Sequence, residues 1–280
     1  MLTENHPHAW KPEHANEHLD PDFRRTYMPP GSRLVVTPDM TRLIGGMPTA
    51  LDRCTATVVS GPWGSGKSTL LQSLAAVSDV NTVLVEIPES AGATRAQWDV
   101  LTTAITGSAT GTAHQLQHAA RDYLAAVPTL LIVDEAQHLS HAALRQLRWL
   151  WTSRLPRFAI VLAGSNLNAH LDKEPSLATR VNQRILLRTH STELMVKRLQ
   201  ASHPDLAATR PQLLELIDQA YGNGVWRNHS EMLLKAALEL GHTGPLTHEV
   251  AEEVIYDRTG APLALTPAGA RTSALKKAGR

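Results

Sequence analysis

Cysteine is almost missing from this 280-residue chain: Cys54 is the only one. No internal disulfide can staple the fold, and the expected compartment is the cytoplasm. Long apolar runs are missing too. The longest purely aliphatic stretch, around residues 130–133, falls far short of the ~20 residues that a bilayer-spanning helix needs, so no membrane association is expected. The first twenty residues, MLTENHPHAWKPEHANEHLD, carry histidines and acids where a signal peptide needs a basic patch and an apolar core. Nor is there an excess of one charge. At a formal +1, any polyanionic partner must be met by a local basic patch, not by the whole surface. What is present suits a packed core: 42% of residues are hydrophobic and 19% charged. Single cores stop growing near ~250–300 residues, so a large domain with a smaller companion is expected.

Residues 1–31 are polar, contain His6, His8, His14 and His18, and end in Pro29-Pro30-Gly31, the composition of a flexible arm. The histidine spacing matches no rigid metal site. Over residues 32–190, β-rich runs alternate with helical patterns: TATVVS (55–60), TVLVEI (82–87), TLLIVDE (129–135), FAIVLAG (158–164) and QRILLR (183–188). Five strands with helices between them predict an α/β fold, a parallel sheet covered by helices on both faces. Over residues 191–258 only helical periodicities remain, in STELMVKRLQ, PQLLELIDQAY, SEMLLKAALEL and HEVAEEVIY, broken at Gly222, Gly224 and Gly241. A small all-α domain is expected there. Residues 259–280 are rich in Ala, Pro and Gly, and Arg271, Lys276, Lys277 and Arg280 face no acid among residues 261–280, which suits a flexible basic tail.

The chemistry begins at Gly61-Pro62-Trp63-Gly64-Ser65-Gly66-Lys67-Ser68, followed by Thr69. This matches G-x-x-x-x-G-K-[ST] at every fixed position, a pattern that chance supplies in roughly one per cent of chains this long. The run lies between a β-rich segment and the helical LLQSLAAV. Backbone N–H groups and a helix N-terminus can therefore converge on phosphates, with Lys67 reaching the β- and γ-phosphates of ATP and Ser68 ligating Mg²⁺. A glycine-rich turn without chemistry is the plain alternative.

The second motif speaks against it. In LLIVDE, a buried strand delivers Asp134 to its C-terminal end, where ligands of open α/β sheets bind and where a carboxylate can hold the magnesium shell. Glu135 directly follows, placed to orient and deprotonate an attacking water, which suits hydrolysis better than phosphate transfer to a small acceptor. Alone, such an Asp-Glu pair is an ordinary polar turn.

The order of phosphate loop, strand, Asp-Glu strand and a further strand ending in a polar residue resembles the AAA+ ATPases, over residues of roughly 34–240. The stretch VDEAQHL (133–139) is similar to the "DEAQ" signature of the branch with TnsC-type and MuB-type transposition regulators and the ExeA-like ATPases. That resemblance implies a P-loop NTPase sheet followed by a small helical lid. It also implies a "sensor 1" at Ser165 or Asn166, with Asn166 preferred, and an arginine finger at Arg180 acting on a neighbouring subunit, with Arg184 as the competitor. Arg227, in YGNGVWR (221–227), stands where the family carries sensor 2; a plain helix cap explains those glycines equally well. Trp63 departs from the small residue usual at its position, and Ser68 replaces the commoner Thr.

The same resemblance implies a ring or filament of subunits that grips duplex DNA with ATP and releases it on hydrolysis, with a transposase or other protein as a further partner. On the helical pattern beginning at His141, Leu144, Leu147, Trp151 and Leu155 form one stripe while Arg145, Arg148 and Thr152 share another. Those arginines are candidates for phosphate contacts, against the plain reading of a solvated face. A switch ATPase acting on a protein without DNA is the competing function. His138 and His141, close to Glu135 in sequence, either touch the catalytic region or lie on a helix surface.

Overall fold

The computed structural model describes residues 19–152 and 156–260. The histidines at 6, 8, 14 and 18, Leu155 and the basic residues of 261–280 lie outside the described residues. The chain divides into two compact units, one built on Val36–Arg188 and the other on Asp20–Val35 together with residues 189–260.

In the first unit, helix Pro38–Arg53 leads into β1 (Ala56–Ser60) and helix Lys67–Val77 into β2 (Asn81–Glu86). Helices Thr94–Thr106 and Ala113–Ala126 precede β3 (Thr129–Asp134), helix His141–Trp149 precedes β4 (Phe158–Gly164), and short helices Leu167–Leu171 and Pro175–Ala178 precede β5 (Val181–Leu186). All four strand pairings are parallel, in the order β2-β3-β4-β1-β5. The five expected strands are all present, with bounds shifted by no more than two residues. Every residue of β1, β3 and β4 is buried, as continuous Val/Ile/Leu runs covered on both faces must be, whereas the edge strands β2 and β5 are part exposed. Trp98, Leu101, Leu116 and Leu124 from the covering helices pack with Leu131, Val133, Ile160 and Leu162 of the sheet.

Register decides where the chemistry lies. Ser60 pairs with Gly164, and Val133 with Leu162, so β1, β4 and β3 finish side by side. The turns after all three open on one edge of the sheet, the carboxyl side where such folds bind ligands.

Two expectations need correction. The helix from His141 stops at Trp149 and tightens into a 3₁₀ turn over Leu150–Thr152. Within it Leu144, Leu147 and Trp151 are buried as the stripe required, and the Trp151 indole N–H donates to the Cys54 carbonyl at 2.7 Å. The second correction concerns the arm. Pro21–Tyr27 is a helix, opened by Asp20, whose carboxylate accepts from the Asp22 and Phe23 N–H groups, with proline in its first turn. Phe23 is buried, and the Arg33 N–H donates to the Ser202 carbonyl at 2.7 Å, so residues 20–35 build part of the helical unit. A polar composition hid one apolar anchor and a good cap.

The helical unit continues with Thr192–Ser202, Pro204–Ala208, Pro211–Ile217, a π-turn over Asp218–Gly222, Trp226–Leu238 and His248–Thr259. Met195, Leu199, Leu214, Ile217, Met232 and Ile255 form its core. No helix among the described residues is long and apolar enough to cross a membrane.

One polar group pins this unit. The buried Asp218 carboxylate accepts from His229 Nε2 at 2.8 Å, from the Gly224 N–H at 2.9 Å and from the Thr192 hydroxyl at 2.8 Å. Burial pushes its pKa up, but these donors outweigh burial and hold the carboxyl below its usual range. With the folded pKa below the unfolded value of about 3.9, the stabilisation is present above that pH and lost as pH falls through the folded pKa. Asp218→Ala leaves donors unpaired, at about 1–3 kcal/mol for each one that stays buried. Urea denaturation is expected to show a lower midpoint for the variant and, below about pH 4, a shallower acid loss than in the parent; equal midpoints would contradict this.

Candidate functional site

The turn after β1 is built for close approach. Gly61 leaves no room for a side chain, since a Cβ there would lie 2.8 Å from that of Leu187 and 2.9 Å from Ser65 Oγ. Gly64 and Gly66 take positive φ values of 75° and 91°, which glycine adopts without steric cost. Gly66 is the N-cap of helix Lys67–Val77 and offers no side-chain hydrogen bond, and the first turn holds no acid. The helix's leading N–H groups and its positive end are thus left for an anion. Lys67 is 5% exposed, and its ammonium donates to the Gly61 and Pro62 carbonyls, each at 3.1 Å. Burial lowers its pKa, with Glu135 and Asp134 pulling it back up. Trp63 stands 60% exposed at the tip of the loop.

The two motifs meet. Ser68 Oγ donates to Asp134 Oδ2 at 3.0 Å, across 66 residues of sequence, and the other Asp134 oxygen accepts the Glu135 N–H at 2.9 Å. Burial raises the Asp134 pKa against the pull of the Glu135 amide, the Ser68 hydroxyl and Lys67. A carboxylate whose charged form is disfavoured by burial is one that a cation would relieve. Glu135 holds a left-handed backbone, φ 51°, at a cost of about 1–2 kcal/mol for a side-chain-bearing residue.

These residues fit a magnesium triphosphate. The buried Ser65 Oγ has no hydrogen-bond partner, and it lies in the loop beside Lys67. Among the described residues no group of three His, Cys, Asp or Glu could cage a metal. A Ser-Asp pair suits Mg²⁺, which keeps waters and phosphate oxygens as its remaining ligands.

Gln137, three residues into the Asp-Glu motif, was not singled out by spacing, yet its side-chain amide touches two parts of the site. Its nitrogen donates to Glu135 Oε2, and its oxygen accepts the Ser165 N–H at 3.0 Å. Asn166, the preferred sensor, is exposed and also left-handed, φ 51°. Gln137 belongs to the VDEAQHL stretch, but nothing in one dimension says that the end of β4 lies beside it.

The arginines separate. Arg184 is engaged by its own unit, its NH1 donating to Asn168 Oδ1 at 2.9 Å and to Asp172 at 3.3 Å. Arg180 is exposed at the end of helix Pro175–Ala178, while its backbone is clamped: its carbonyl accepts the Ala56 N–H at 2.9 Å and its N–H donates to Leu177. In the helical unit, Arg227 lies in the first turn of Trp226–Leu238 and pairs with Glu231 at 2.6 Å. Arg145 and Arg148 are both exposed on helix His141–Trp149; Arg145 lies 3.7 Å from the buried Glu174 carboxylate. His141 pairs with the same Glu174, and His138 meets the Ile87 carbonyl at 3.0 Å, so both histidines brace neighbouring loops.

A family model described as an AAA domain matches residues 51–170. Among solved structures, the Aeropyrum pernix ORC2 protein in its ADPNP-ADP complexes superposes with a TM-score of 0.63 at 19% identity, covering 86% of this chain and 72% of that one. The A. pernix ORC1 protein in complex with DNA gives 0.62 at 12% identity, covering 80% and 66%. The chain has the AAA+ P-loop fold. Another protein of similar fold is the Thermotoga maritima RuvB Holliday junction branch migration motor, at 0.54 and 12% identity, covering 80% and 70%. No curated protein matches the chain in sequence. Within this AAA+ fold the matched residues include the phosphate loop, Asp134, Glu135, Gln137 and Asn166, but end before Arg180 and Arg227.

Proposed function

We propose that this chain is a magnesium-dependent ATPase of the AAA+ kind that assembles on duplex DNA when ATP is bound and lets go on hydrolysis, as a regulator of the transposition target-selection type. The observation that carries the ATPase reading is the 3.0 Å contact between Ser68 Oγ and Asp134, which brings the phosphate loop and the strand acid to one point with Glu135 next in chain. Bound Mg²⁺ would supply charge neutralisation for the phosphates. Lys67, Ser65 and the uncapped helix end hold them, Glu135 takes the proton of the attacking water, and Asn166 helps to place that water. Arg180 belongs to the neighbouring subunit's site, and Arg227 is the sensor 2 candidate of the helical unit.

DNA as the client is supported by the exposed Arg145 and Arg148 and by the folds that this chain resembles, one solved with DNA and one a Holliday junction motor. The transposition assignment is supported by the VDEAQHL stretch. A protein client without DNA is the second reading, supported by the net charge of +1 and by the pairing of Arg145 with Glu174.

Electron microscopy and binding titrations with a slowly hydrolysed ATP analogue, with and without duplex DNA, test this. Rings or filaments on DNA that require the nucleotide are expected. If Arg145 and Arg148 each meet a phosphate, replacing either by alanine lowers the slope of log affinity against log salt by about 1. Indifference to DNA, with ATP-dependent capture of a protein, would favour the second reading.

A further inference from the structure

We infer that Gln137 is a positioning residue for hydrolysis, a bridge that holds the Glu135 carboxylate in register with the end of β4. This rests on Glu135 being the base, as proposed above.

Three observations converge on it. The Gln137 amide nitrogen donates to Glu135 Oε2 while its amide oxygen accepts the Ser165 N–H at 3.0 Å. A primary amide can do both at once, whereas a carboxylate has no donor, an ammonium no acceptor, and an aliphatic chain neither. Second, Gly164 makes way for it. A Cβ on Gly164 would lie 2.1 Å from Gln137 Oε1 and 3.2 Å from its Cδ, so the last residue of β4 is bare where the amide rests. Third, both chain segments that the bridge joins are left-handed beside it, at Glu135 and at Asn166, each with φ 51°. Such backbone persists only where its surroundings over-determine it.

The consequence is mechanical. Glu135 follows a strand held in the sheet by β2 and β4, but its side chain projects from a strained turn and has several rotamers open to it. The bridge removes that freedom. It ties the carboxylate to the segment that carries Asn166, so the group that takes the proton and the group that places the water move as one. The 3₁₀ turn Ala136–His138 supplies the geometry, bringing residue 137 back over residue 135.

The test is a pair of variants in the full chain, Gln137→Met and Gln137→Glu, read by kcat for ATP hydrolysis, by affinity for a slowly hydrolysed ATP analogue and by unfolding midpoint. Methionine keeps the length and loses both hydrogen bonds; glutamate keeps the acceptor for Ser165 and loses the donor for Glu135. Both are expected to lower kcat, by up to about 100-fold for a misplaced catalytic group, with analogue affinity unchanged. Gly164→Ala is expected to lower kcat as well, since a Cβ there would displace the amide oxygen that lies 2.1 Å from it. Normal kcat in both Gln137 variants, with Glu135→Gln inactive, would overturn the inference and leave the ATPase reading standing. A fall in analogue affinity or in the midpoint as large as the fall in kcat would also overturn it, by making Gln137 a general structural residue. Normal turnover in Glu135→Gln would remove the base itself and the bridge's purpose with it.

Discussion

Glu135→Gln is expected to slow ATP hydrolysis by about 10²–10⁴-fold, the usual contribution of a positioned general base, while nucleotide binding survives and the assembled state accumulates. The geometry separates the two effects. What Glu135 gives to its neighbour Asp134 is a backbone N–H, at 2.9 Å, and glutamine retains it. Ser68 and Asp134 keep their 3.0 Å contact, so the metal side is untouched. Gln137 can still donate, now to an amide oxygen, so the side chain stays in place but cannot take a proton. Loss of the Glu135 charge withdraws one of the two influences that counter the burial of Lys67, yet it also removes repulsion between that carboxylate and a triphosphate. Single-turnover hydrolysis and the size distribution with ATP measure both effects. Turnover at the parent rate would exclude Glu135 as the base.

The phosphate loop and the Asp-Glu strand were legible because their chemistry is local. Gly64 and Gly66 answer to φ demands within the loop itself, and β3 and β4 are apolar runs too continuous for any surface element, although Gly61 also answers to the distant Leu187. What was not legible depends on strand order. The motifs assign Ser68 and Asp134 to one magnesium ion, but the sequence does not say that β3 and β4 lie side by side, and so cannot bring Ser165 to Gln137. The same blindness left Arg180 and Arg184 equal. Four residues apart in the chain, they are told apart by Asn168 and Asp172, which sit beside Arg184. Residues 20–31 were illegible for a different reason. Helix Pro21–Tyr27 is short and polar, and its place in the helical unit comes from Phe23 and from a backbone bond to Ser202, neither of which composition records.

Arg180→Ala is expected to cost about 10³–10⁵ in kcat with nucleotide affinity little changed, because a finger stabilises charge that develops only in the transition state. The clamped backbone and exposed side chain of Arg180 are the arrangement such a role needs: the base of the side chain is fixed by Ala56 and Leu177, and its head is free to enter a neighbour's site. Mixing decides whether it acts between subunits. A head-to-tail interface pairs one subunit's loop with the next one's finger. Arg180→Ala subunits keep an intact loop, and Lys67→Ala subunits, crippled at the loop, keep an intact finger. An equal mixture of the two inactive proteins therefore restores up to about a quarter of the interfaces, and steady-state hydrolysis should recover accordingly. Arg184→Ala cannot be rescued this way, because Arg184 acts on Asn168 and Asp172 of its own chain. Recovery with Arg184→Ala and none with Arg180→Ala would reverse the assignment, and no recovery with either would mean that each site is completed by its own subunit.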